Sequence, residues 1–92
     1  MSDRTAPALA QLDQLLPLIK DLPASQERDQ LVGETEALQR AVSAFHMEAI
    51  RFRMYSVDRL IKSAGDPADV RRRFEELRQA LESAGFHTRS HA

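Results

Sequence analysis

Apolar residues recur along this chain at spacings of three and four, and they never alternate over the length of a strand. Leu9, Leu12, Leu16 and Ile19 share one helical face, with Leu15 and Leu22 beside it. Val70, Phe74, Leu77, Leu81 and Ala84 form a second, narrower stripe. Between the two lies residues 44–61, AFHMEAIRFRMYSVDRLI. On a helical wheel, Glu48, Arg51, Asp58, Arg59 and the neighbouring Lys62 occupy a polar sector about 100° wide. Phe45, Ala49, Ile50, Phe52, Met54, Val57, Leu60 and Ile61 belong to an apolar arc of about 200°, twice what a helix packed on one side needs.

Three helices follow from these stripes and their punctuation. The first covers about residues 6–22, with Thr5 as its cap and Pro7 in its first turn. Pro17 removes a backbone donor and predicts a kink or break, and Pro23 ends the segment. The second starts at the N-cap Ser25, with Glu27 and Asp29 favourably placed against the helix dipole. Nothing clearly stops it before Ser63-Ala64-Gly65, which predicts a helix over 25–64, roughly 58 Å long. Its weak point is Gly33, costing about 1 kcal/mol relative to Ala, and a break at Gly33-Glu34-Thr35 is the alternative. Gly65 suits a left-handed C′ position, Asp66 a cap and Pro67 a first helical position, so a third helix spans 67–84. Gly85 ends it, Phe86 packs back on Leu81, and the last residues of the tail 85–92 are loosely held.

The predicted fold is therefore an all-α helical bundle in one domain, 1–92. It has a short kinked N-terminal helix, one long central helix and a C-terminal helix forming an antiparallel hairpin with it. Neither neighbour can cover the whole arc of a helix that long. Dimerisation, or a higher homo-oligomer, completes the core, and a second copy of the chain or another protein is the expected partner.

Composition narrows the function. There is no cysteine, hence no disulfide or thiolate metal site. The N-terminus lacks the charged and apolar regions of a signal peptide, and no apolar run approaches a membrane span, so a cytoplasmic protein is expected. Net charge is −1, which provides no overall field for nucleic acid. Eleven arginines against two lysines suit a GC-rich bacterial genome.

The chain lacks HExxH, a Gly-rich phosphate loop, GxSxG and an EF-hand loop. No catalytic, cofactor or metal residue is assigned, and a non-enzymatic interaction or scaffolding protein is the first expectation. Its candidate interface is Phe45, His46, Ile50, Phe52, Arg53 and Val57. Gln39, His46 and Arg53 lie at heptad spacing within the arc and could form a polar seam fixing register between copies. Alternatively, Arg53 snorkels to the edge and His46 bonds locally. A second reading is a small dimeric nucleic-acid-binding regulator using Arg71, Arg72, Arg73 and Arg78, although interleaved Glu75, Glu76 and Glu82 favour a salt-bridged face. A third is a bundle enzyme or ligand site around His46 and Arg53. His87 and His91 have the HxxxH spacing of a metal pair, but they follow a helix terminator.

Overall fold

A computed structural model describes residues 4–86 and contains four α-helices, with no strand among the described residues. They are α1 (Ala6–Lys20), α2 (Gln26–Ser43), α3 (Met47–Ser63) and α4 (Ala68–Ser83). The all-helical expectation holds, and the predicted long central helix is two helices.

The start of α1 places Thr5 at the N-cap position, but no side-chain capping bond forms. The helix runs through Pro17 instead of breaking there, and ends at Lys20. The proline is exposed and lies in the last turn, and its carbonyl accepts the Asp21 N–H at 3.1 Å. Ser25 caps α2 as its sequence position requires: Oγ accepts the Arg28 N–H at 3.0 Å. Gly33 does not interrupt α2.

The break comes at Ala44-Phe45-His46. Phe45 turns into the left-handed region, at φ 60°. Its N–H donates to the Val42 carbonyl and the His46 N–H to the Ala41 carbonyl, both at 3.1 Å, which is the hydrogen-bond pair of a Schellman helix end. His46 then becomes the N-cap of α3, its Nδ1 accepting the Ala49 N–H at 3.3 Å.

The α3–α4 turn repeats this pattern with the expected glycine. Gly65, at φ 93°, donates to the Lys62 carbonyl at 3.1 Å, and Asp66 donates to Ile61 at 2.9 Å. Asp66 does not take the capping position on α4 that its sequence context predicts. Pro67 holds the N-cap position, and the Asp66 carboxylate accepts from Arg71 Nε at 2.8 Å. A third Schellman end closes α4, where the Phe86 N–H reaches Leu81 at 2.9 Å and the Phe86 side chain is buried, as expected.

Cross-helix bonds show which helices run side by side. Glu34–Arg53 joins α2 to α3, Asp13–Gln39 joins α1 to α2, and Gln11–Arg73 joins α1 to α4. All three pairs are antiparallel and well packed, whereas α3 and α4 approach each other little. The expected close hairpin across Gly65 is thus a turn whose two helices lean mainly on others: α3 on α2, and α4 on α1. Asp58–Arg71, at 2.7 Å, spans the gap.

One continuous core results. It takes Ala8, Leu12, Leu15 and Ile19 from α1, Leu31, Leu38 and Val42 from α2, and Ile50, Met54, Val57 and Ile61 from α3. From α4 come Val70, Phe74, Leu77 and Leu81. The radius of gyration, 12.3 Å, is what a compact chain of this length gives, so the single chain closes its own core.

Candidate interaction surface

Splitting the long helix changes what the wide apolar arc does. The stripe Ile50–Met54–Val57–Ile61 faces inward and is buried. Phe45 and Phe52, at the arc's far edge, stay out, as do Met47 and Tyr55, which lie outside the arc. Phe52 is 59% exposed, Met47 and Tyr55 49%, and Phe45 48%; these are the large hydrophobic side chains exposed among the described residues. All fall within eleven consecutive positions, on the α2–α3 turn and the first half of α3.

Phe45 is pinned despite its exposure. Its ring lies 5.4 Å from the buried Phe86 ring, and the Arg4 guanidinium sits 5.8 Å above it. Arg4 also donates to the Ala84 carbonyl at the end of α4. The turn is thus held against both ends of the described chain.

Beside Phe52, a groove of about 450 Å³ opens between α2 and α3. Gly33, Glu34, Arg53, Arg59 and Leu60 line it together with Phe52. Arg53 answers its burial problem with a carboxylate: Nη1 meets Glu34 Oε2 at 2.8 Å and Oε1 at 3.1 Å, and the guanidinium stands 5.4 Å from the Phe52 ring.

The six candidate interface residues therefore separate. Ile50 and Val57 are core, Phe45 and His46 form the turn, and Phe52 and Arg53 border the groove. Gln39 bonds to Asp13, Arg53 to Glu34 and His46 to the Ala49 N–H, so the heptad line through them is not a joined seam. Sequence reasoning misses Met47 and Tyr55. Tyr55 falls inside the polar sector on the wheel, between Lys62 and Glu48, and Met47 follows a turn that carries no glycine or proline.

The α4 arginines are occupied. Arg71 binds Asp58, Asp66 and Glu75. Burial alone would lower its pKa, but the hydrogen bonds to Asp66 and Asp58 outweigh that and raise it above the ordinary arginine value. Arg73 meets Glu76 and Gln11, and Arg78 is buried between Glu75 and the Phe74 ring. Arg72 alone of the four is exposed. Arg71 ties α4 to α3 and Arg73 ties it to α1, and the four do not present one cationic face.

Among the described residues, no group of three His, Asp or Glu side chains converges as metal ligands, and no helix is long and apolar enough to cross a membrane. His87 and His91 lie outside the described residues. No family model matches the chain, and neither a curated protein nor a solved structure matches it significantly.

Proposed function

We propose that this protein is a small non-enzymatic interaction module that assembles with a second copy of itself. The observation that carries this reading is the clustered exposure of Phe45, Met47, Phe52 and Tyr55 on a molecule that otherwise buries its large apolar side chains in one core. Removing such side chains from water contributes roughly 25 cal/mol per Å², so a partner that covers the patch is favoured. The bordering Glu34–Arg53 pair provides a polar rim of the kind interfaces carry around an apolar centre.

Nucleic-acid binding receives less support, because Arg71, Arg73 and Arg78 are tied to carboxylates within the chain. A ligand site around His46 and Arg53 receives less still, since the two side chains serve a turn and a groove respectively. The test is molar mass by light scattering over a concentration series, for the wild type and for Phe52→Ser with Tyr55→Ser. Self-association of the wild type, weakened in the double variant, is the expected result. A wild type that stays at 10.4 kDa at every concentration overturns the reading.

A further inference from the structure

Three helix ends in this molecule have Schellman geometry, and two of them place glycine in the left-handed position. The third places Phe45 there, in a conformation that a side chain with a Cβ resists. The residues around it, Val42-Ser43-Ala44-Phe45-His46-Met47-Glu48, contain neither glycine nor proline and can continue a helix.

A second pattern runs through the same turn. Leu31, Thr35, Leu38, Val42, Phe45, Ala49 and Phe52 follow one another at alternating spacings of four and three. That is about three heptads of a seam that is apolar at every position but Thr35, continuous only if α2 and α3 are one helix. In the folded chain the seam is cut. Leu31, Thr35, Leu38 and Val42 are fully buried, while Phe45 and Phe52 are exposed.

From these observations we propose that the second copy joins by exchange: the α2–α3 turn straightens into one long helix, and α3 with α4 of each chain packs on α1 and α2 of its partner. The proposal rests on the self-association reading and specifies its geometry. The exchange conserves the α2–α3 and α1–α4 contacts, because each is remade between chains. Glu34–Arg53 and Gln11–Arg73 re-form the same way. The closed chain gives up the Phe45–Phe86 ring contact and the His46 cap. In return, the Phe45 backbone leaves the left-handed region and the turn gains helical hydrogen bonds. The two straightened turns meet at the dyad, where Phe45 of each copy faces that of the other. Phe52 lies about 10 Å further along the helix, within reach of the same axis.

Exchange makes one distance change greatly. In the closed chain the start of α2 lies beside the end of α3, since Ser25 and Ser63 line one small cavity. In the straightened helix, positions 26 and 63 of the same chain are roughly 56 Å apart. The chain has no cysteine, so Gln26→Cys with Ser63→Cys accepts two spin labels at exposed positions. The doubly labelled chain is mixed with excess unlabelled chain by unfolding and refolding at high concentration. The dimer fraction is then isolated, and the label separation is read by pulsed dipolar spectroscopy. A long separation in the dimer and a short one in the monomer is the expected result. A dimer with only the short separation overturns the exchange and leaves self-association standing; absence of any dimer overturns both. Phe45→Gly puts a poor helix former in the middle of each straightened helix and removes its contact at the dyad, so it is expected to weaken dimerisation about tenfold or more. Unchanged or tighter dimerisation of that variant also overturns the exchange.

Discussion

The α2–α3 and α3–α4 turns have the same hydrogen bonds and differ in the residues that take left-handed conformations: Phe45 at the first, Gly65 followed by Asp66 at φ 52° at the second. At the second turn, Gly65 adopts φ 93° without a side chain to oppose it, and a Cβ there would meet nothing within 4 Å. Asp66 follows it at φ 52°, a left-handed conformation that aspartate tolerates better than phenylalanine, and its carboxylate ties the turn to Arg71. At the first turn, Phe45 adopts φ 60° against its preference, so the conformation has to be held from outside, by the Phe86 ring and Arg4. One turn is encoded locally, while the other is imposed by tertiary contacts some forty residues away in sequence.

That dependence gives the largest expected effect. Phe86→Ala removes a buried ring and should destabilise the protein by about 3 kcal/mol in chemical denaturation. It also removes the pad on which Phe45 rests. Amide exchange at 44–46 should therefore accelerate more than exchange at 64–66. Equal acceleration at both turns would show that Phe86 does not hold the first turn in particular.

The same difference explains what can be read from the sequence. Ser25, Gly65 and Gly85 announce their helix ends with residue types that have few other reasons to be there, and each end forms where expected. Ala44-Phe45-His46 has no such mark. Its chain reversal depends on Phe86 and Arg4, which no local window contains, and the uninterrupted pattern reads as one helix. The unmarked break also misleads the choice of interface. Ile50 and Val57 do belong to an apolar arc, but only a folded chain shows that their side of α3 faces the core while Phe52 and Tyr55 are left outside. Likewise, Arg53 clearly needs a counter-charge, yet Glu34 can be named only once α2 and α3 are known to be antiparallel neighbours.

Glycine substitutions sharpen the contrast at intermediate size. Gly65→Ala should cost about 1–2 kcal/mol, entirely through the backbone, since there is open space for the methyl group. Gly33→Ala should act in the opposite direction. Gly33 sits inside α2, and a Cβ added there would meet nothing within 4 Å, so alanine should stabilise the monomer by up to about 1 kcal/mol. Thermal melts of the two variants at low concentration provide the check. A loss at Gly33 would mean that something approaches that backbone in solution.

The smallest stability change is expected at Phe45→Gly, and its size is what separates the two turns. Glycine relieves the left-handed conformation, a gain of about 1–2 kcal/mol. It also forfeits the Phe86 ring contact and the Arg4 stacking, a loss of about 0.5–1.5 kcal/mol for the ring pair with a little more for the cation. The two nearly cancel, so urea denaturation of the monomer should shift by less than about 1 kcal/mol, against the clear loss in Gly65→Ala. A large gain would mean that the aromatic contacts contribute little and that Phe45 is kept for a purpose other than monomer stability. A large loss would mean that those contacts outweigh the strain, and that the first turn is as firmly closed as the second.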